Sequence, residues 1–192
     1  MKISVDIDGV VCSTIPHMIK AIEKRGYTVT FDKYNPYIEG VEDIEALMYE
    51  VVGEIYSTQM DQIKPYDDAV SAIPLIAKYI GPITFVTARK EQWHDATLKW
   101  LQSHFKIPFD LVHKRSFHKS QFILDEGFDA FIEDRLRTAN QAAELGINTY
   151  LINRSWNIGR PVHTGVTRVR SLFDFYTIEM IERKSKSYTN EE

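Results

Sequence analysis

Two aspartates interrupt the first apolar run of this chain. In KISVDIDGVV, residues 2–11, Ile3, Val5 and Ile7 alternate as a strand would, while Asp6 and Asp8 stand inside the run with Gly9 directly behind. Carboxylates are costly to bury unless they are hydrogen-bonded, paired or bound to a metal. Two carboxylates at that spacing could supply a nucleophile, a proton carrier and ligands for a hard cation. Two later apolar runs also end in polar groups. ITFVTAR closes on Thr87, Ala88 and Arg89, and AFIEDR closes on Glu133 and Asp134. Lys119 opens a short helical stretch just before the second of these. Each group alone reads as a strand-end cap or a surface charge. Three successive runs ending this way point to one shared site.

Those residues need elements to position them. TIPHMIKAIEKRGY places Ile15, Met18, Ile19 and Ile22 at helical spacing, with Gly26 as the stop. TVTFDKYNPYIEG reads as irregular, and its Asn35-Pro36 pair favours a turn. VEDIEALMYEVVGEIYSTQM and PYDDAVSAIPLIAKYIG resume a helical period. PITFVTAR then reads as a strand, KEQWHDATLKWLQSHF as a helix, FDLVH as a short strand and KSQFILDEG as a short helix. FDAFIEDR follows as a strand, LRTANQAAELG as a helix stopped by Gly146, and NTYLINRSWN as a strand with a polar exit. This alternation predicts a mostly parallel sheet covered on both faces, whose strand ends share one edge where ligands bind. RKSKSYTNEE reads as a solvated tail.

The bulk numbers exclude several classes. The chain has 192 residues, enough for one domain with a sizeable core, and 44% hydrophobic and 26% charged residues, a globular composition. A net charge of −4 gives no electrostatic case for a nucleic-acid polymer or an anionic membrane. One cysteine, Cys12, rules out an internal disulfide framework and fits a reducing, cytoplasmic setting. No apolar run approaches the ~20 residues needed to span a bilayer. A first strand carrying two acids is not what a signal peptide looks like. GxSxG, GxxxxGK and GxGxxG are all absent.

DIDGVV, VTAR, Lys119 and FIEDR fall in the order of four motifs, and the chain resembles the haloacid dehalogenase (HAD) superfamily of phosphatases over residues 2–135. Within it, DGVV, the long helical segment after the first motif and YLINRSWN resemble the 5'(3')-deoxyribonucleotidase branch. The resemblance implies a three-layer Rossmann-like α/β core from residues 1–12 and 66–182, a small helical cap over 13–65 and a polar tail over 183–192. It puts the first strand centrally, between the ITFVT and DAFIE strands. It implies a Mg²⁺-dependent phosphomonoester hydrolase acting on a small phosphate, a nucleotide first of all, with room for a homodimer. A phosphatase of another phosphometabolite and a catalytically silent phospho-ligand binder are the alternatives.

The chemistry of phosphate esters suggests the same roles. Their negative charge repels nucleophiles, so catalysis is largely positioning and charge neutralisation. Asp6, nearest the sheet, is the expected nucleophile, and an aspartyl-phosphate divides one hard displacement into two. Asp8 is the expected acid for the leaving alcohol and base for water. Asp6, the Asp8 backbone carbonyl and Asp134 are the expected Mg²⁺ ligands, with Glu133 behind them. Asp8, Gly9, Thr87, Ala88, Arg89 and Lys119 are expected around the phosphate, with Lys114 the other candidate for the lysine role.

Other residues take plainer readings. Cys12 reads as a small core residue and all six histidines as structural or surface groups. Phe31, Tyr34 and Tyr37 read as core packing, with a base-stacking platform as the alternative.

Overall fold

The computed structural model describes residues 1–32 and 35–189. In chain order the elements are β1 (Ile3–Val5), α1 (Ile15–Glu23), β2 (Val29–Asp32), β3 (Asn35–Ile38), α2 (Ile44–Thr58) and α3 (Asp67–Tyr79). Next come β4 (Ile83–Thr87), α4 (His94–His104), β5 (Phe109–His113), α5 (Ser116–Asp125) and β6 (Ala130–Glu133). The chain ends with α6 (Leu136–Glu144), β7 (Thr149–Ile152), β8 (Val166–Val169) and α7 (Leu172–Thr189). No described helix is long and apolar enough to cross a membrane.

Six strands form one parallel sheet in the order β5-β4-β1-β6-β7-β8. The first strand is central, as expected: Ile3 pairs with Ile83 on one side and Ala130 on the other. Strands buried on both faces read as near-continuous apolar runs, and every residue of β1, β4 and β6 is buried. Side-chain alternation then sorts the two faces. Ile3, Val5, Phe85 and Ile132 join the cluster of Ile73, Ile76, Leu101 and Phe175 under α3, α4 and α7. Val86 and Phe131 turn the other way, onto Ile123 of α5 and Ala142 of α6. Three layers result, the Rossmann-like α/β architecture that the strand–helix alternation predicts.

Between β1 and α3 the chain builds α1, a hairpin and α2. Asp43 caps α2, its carboxylate accepting from the Ala46 amide at 2.9 Å. Ala21, Ile22, Val51, Ile55 and Met60 of this segment belong to the same apolar cluster as Val10, Val11, Trp93 and Trp100. The segment is thus seated on the core by continuous packing.

Three local readings change. The segment read as irregular is an antiparallel hairpin, with Val29 opposite Ile38 and Thr30 opposite Tyr37. Asn35 and Pro36 sit in β3 rather than in a turn; proline is tolerated on such a two-stranded edge, where no further strand needs its missing N–H. The expected polar tail begins inside a helix, because α7 runs to Thr189, with residues 181–186 exposed.

Candidate active site

The carboxyl edge of the sheet gathers the expected groups. Asp6 follows β1 directly and is fixed there by its amide, which donates to Ile132 O at 3.0 Å. Asp6 Oδ1 accepts from the Ile7 amide at 2.8 Å and lies 2.9 Å from Lys119 Nζ. The same ammonium reaches Glu133 Oε2 at 3.1 Å. Lys119 is 1% exposed, so its charge is spent on these two acids. Lys114 instead lays its ammonium over the Phe122 ring, 4.7 Å from the centroid. Of the two candidate lysines, Lys119 is the one beside Asp6.

Asp6, Glu133 and Asp134 each bring a carboxylate oxygen to within 4.8 Å of the others, all buried. Their partners separate their roles. Glu133 Oε2 takes Lys119, and Oε1 takes the Asp134 and Arg135 amides at 3.1 Å each. Asp134 Oδ2 accepts from Trp156 Nε1 at 2.9 Å, but its Oδ1 is buried with no hydrogen-bond partner. An orphaned buried carboxylate oxygen is costly, and a cation is what would satisfy it. Gly9, at φ +86°, makes this approach feasible: a Cβ there would lie 2.0 Å from Asp134 Oδ2.

Electrostatics agree with an all-oxygen cation site. Burial, then the charge of Glu133, push Asp6 up to about 8 in spite of Lys119. Burial also raises Asp134 well above the usual range, with Glu133 and Asp6 adding to it. For Glu133 burial is outweighed by Lys119 and by hydrogen bonds, which hold it below the ordinary glutamate value. Three carboxylates therefore face one ammonium. The donor set and the orphaned oxygen fit a hard divalent ion such as Mg²⁺.

Thr87 is fully buried at the end of β4, its Oγ1 accepting from the Arg89 amide at 3.2 Å, and Ala88 is exposed beside it. Arg89 was expected at the phosphate; its fork lies instead on Asp8, with Nε 2.8 Å from Oδ2 and Nη2 2.9 Å from Oδ1. Its guanidinium lies 4.6 Å from the centre of the Tyr56 ring, with Met60 Sδ 3.6 Å from Nη1. Cys12 is buried and its thiol is pushed far up by burial and by the Asp8 charge, the behaviour of a core residue. His94 Nδ1 and His113 Nε2 lie 3.1 Å apart, and His113 Nδ1 donates to Arg89 O at 2.9 Å, so these two brace the loop after β4. Of the aromatic trio, Tyr34 and the Phe31 side chain lie outside the described residues, and Tyr37 is 65% exposed.

Four site residues were not anticipated. Tyr56 of α2 donates its hydroxyl to Asp8 Oδ2 at 3.1 Å. Trp156 holds Asp134, and Asn157 Nδ2 donates to both Asp134 O and Ile152 O at 2.7 Å, tying the exits of β6 and β7 together. Arg154 Nε donates to Gly9 O at 2.6 Å. The polar exit of NTYLINRSWN was the available signal for the last three.

No protein-family model matches the chain and no curated protein matches its sequence. Solved structures do. A HAD hydrolase, family IA, variant 3, from Entamoeba histolytica shares 16% identity over 94% of this chain and 97% of its own, with a TM-score of 0.63. CbbY from Rhodobacter sphaeroides, in complex with phosphate, shares 12% over 89% and 94%, at 0.59. D,D-heptose 1,7-bisphosphate phosphatase from B. bronchiseptica, complexed with magnesium and phosphate, shares 14% over 95% and 99%, at 0.57. One of these neighbours is a HAD hydrolase and another a phosphatase complexed with magnesium and phosphate, and the chain has their fold. At this edge, that fold carries a cluster of three buried acids and a lysine.

Proposed function

We propose that the chain is a divalent-cation-dependent phosphomonoester hydrolase that works through an aspartyl-phosphate on Asp6. The observation that carries this reading is the convergence of Asp6, Lys119 and the orphaned Asp134 Oδ1 behind the close Gly9–Asp134 contact. Asp6, the Asp8 backbone carbonyl and Asp134 would hold Mg²⁺, which when bound would neutralise charge on the phosphoryl oxygens. An Asp6 carboxylate oxygen attacks phosphorus as the ester P–O bond breaks, and Asp8 passes a proton to the departing oxygen. Water then attacks the phosphorus of the aspartyl-phosphate, Asp8 takes its proton, and phosphate leaves with Asp6 restored. Lys119 offsets charge on Asp6 throughout, and the Thr87 hydroxyl and the Ala88 amide would serve the phosphoryl oxygens, while the Gly9 amide, expected there too, is donated to Cys12 O at 2.7 Å.

We take residues 13–65 as the cap that selects the substrate, and nucleotides as the preferred class, as in the deoxyribonucleotidase branch. Tyr37 and Tyr49 support this as exposed rings on that segment, with Lys90 Nζ 3.7 Å above the Tyr49 ring. Turnover of p-nitrophenyl phosphate with Mg²⁺, abolished by a chelator, tests the reaction. A panel of nucleoside 5'- and 3'-monophosphates against sugar phosphates tests the class. Uniformly higher kcat/KM on sugar phosphates would move the assignment to that group.

A further inference from the structure

Arg89 has no donor left to offer a phosphate. A guanidinium carries five N–H groups, and this one has a partner for each. Nε and one Nη2 hydrogen take the two oxygens of Asp8. The second Nη2 hydrogen meets Cys12 Sγ at 3.6 Å. Nη1 meets Thr97 Oγ1 at 3.4 Å and Met60 Sδ at 3.6 Å. Its Cζ lies 4.6 Å from the centre of the Tyr56 ring and 5.8 Å from that of Trp100. The Arg89 side chain is 1% exposed, against 20% for Asp8, so the grip presents the carboxylate to the site from behind.

Tyr56 completes that grip from α2. Its hydroxyl donates to Asp8 Oδ2, the oxygen that also takes Arg89 Nε. The Tyr56 side chain is buried, 4% exposed. Its ring meets Trp93 edge-on at 5.1 Å. The acceptors and rings around Arg89 thus come from two parts of the chain. Tyr56 and Met60 belong to residues 13–65, whereas Cys12, Thr97 and Trp100 lie outside that stretch.

We infer that Arg89 and Tyr56 are positioning residues that act through Asp8, fixing the carboxylate for its proton transfers and making its aim depend on the seating of the cap segment. Phosphate contact then falls to Thr87 and backbone amides. The bidentate fork sets the carboxylate plane, which a lysine could not do as a point charge. The inference rests on the phosphatase reading above and assigns to two residues a role that the motif pattern alone gives to neither.

The test is a set of double-mutant cycles, read as kcat, KM and inhibition by inorganic phosphate, with p-nitrophenyl phosphate and Mg²⁺. Arg89→Lys should lower kcat by ~10²-fold and Tyr56→Phe by ~10-fold, with the phosphate inhibition constant within about twofold of wild type. In an Asp8→Asn background neither change should cost more than about a further twofold, because the group they aim is already gone. If Arg89→Lys fails to fold, Tyr56→Phe, which removes one hydroxyl, carries its own cycle. Full multiplicative losses in the Asp8→Asn background would overturn the inference. So would a phosphate inhibition constant raised ~10-fold by Arg89→Lys with kcat unchanged, which would make Arg89 a phosphate ligand. A wild-type chain inactive on every ester would overturn the phosphatase reading itself, and the inference with it; the first two results leave that reading standing.

Discussion

Asp6 and Asp8 are two residues apart, yet Asp6 is buried and Asp8 only partly so, and they are held on different terms. Around Asp6, three carboxylates cluster while Lys119 pairs with two of them, and an Asp134 oxygen has no hydrogen-bond partner. Around Asp8, one carboxylate has a guanidinium and a phenol to itself. The first centre is short of positive charge, and a divalent ion would balance it. The second is balanced by the protein alone. A site that binds a cation is left incomplete by its own residues, whereas a group that moves protons is held by them.

The largest effect should come from breaking the first centre at its reacting atom. On the proposed mechanism Asp6→Asn keeps the shape but removes the nucleophile, so kcat on p-nitrophenyl phosphate should fall by ~10⁴-fold or more. Asp8→Asn should cost ~10²–10⁴-fold, the usual range for a general acid–base group. An Asp6→Asn enzyme with near-normal kcat would remove the covalent step from the mechanism.

Next is the lysine that the first centre shares. Removing one partner of a buried ion pair costs ~3–5 kcal/mol because the remaining charge is left uncompensated. Lys119→Met should therefore lower the chemical-denaturation free energy by about that amount in the absence of metal. Lys114→Met, at a partly exposed side chain over Phe122, should stay within about 1 kcal/mol. The opposite ranking would shift the charge-balancing role to Lys114.

Much of this contrast was legible in the chain before folding, and the limits have physical causes. β1, β4 and β6 are buried on both faces, so they read as continuous apolar runs, and their polar last residues stood out. The β2–β3 hairpin did not, because Asp32, Lys33, Asn35 and Pro36 break the apolar alternation that marks a strand. β8 has four residues, of which Thr167 is exposed, too short a signal to separate from a loop. The end of α7 is charged, and an exposed charged helix reads as a tail when only burial is sought. In the site, Tyr56 is one of several aromatics between residues 13 and 65 and nothing in its spacing points to Asp8; its hydroxyl matters only because the fold carries it there, 48 positions away. Arg89 was assigned to phosphate by its place after Thr87, and only its five packed donors show otherwise.

Acidity should sharpen the comparison through metal binding. Asp6 is raised from 3.8 to about 8 in the folded, metal-free chain. A group raised on folding contributes stability that is fully present below its unfolded value and is lost as pH climbs through its folded one. The metal-free protein should therefore lose this contribution between about pH 4 and pH 8. Mg²⁺ needs the ionised ligands, so its stabilising effect should grow over the same window. At ~100 times its dissociation constant a ligand contributes ~2.7 kcal/mol, about 5–10 °C in Tm for a chain of this size. Thermal melts with and without Mg²⁺ should show that gain at pH 8 and a smaller one at pH 5. An equal gain at both would mean that the acids are already ionised without metal.

The smallest effect should come from Trp156, which touches the first centre from outside. Its indole Nε1 donates to Asp134 Oδ2, and Asn157 holds the same residue by its carbonyl, so the exit of β7 orients Asp134. Trp156→Phe keeps a ring in place and removes only the donor. Loss of a group that orients a ligand costs ~10–100-fold in metal affinity, and with Asn157 still in place the lower end applies. The Mg²⁺ concentration for half-maximal activity should rise by ~10-fold at near-normal saturated kcat, and Asp134→Asn should raise it further. Glu133→Gln should raise it less than Asp134→Asn, because both Glu133 oxygens are already bound to the protein. If Trp156→Phe instead lowered saturated kcat and left the Mg²⁺ requirement alone, the indole would be acting on the substrate, and the exit of β7 would belong with the proton-handling centre.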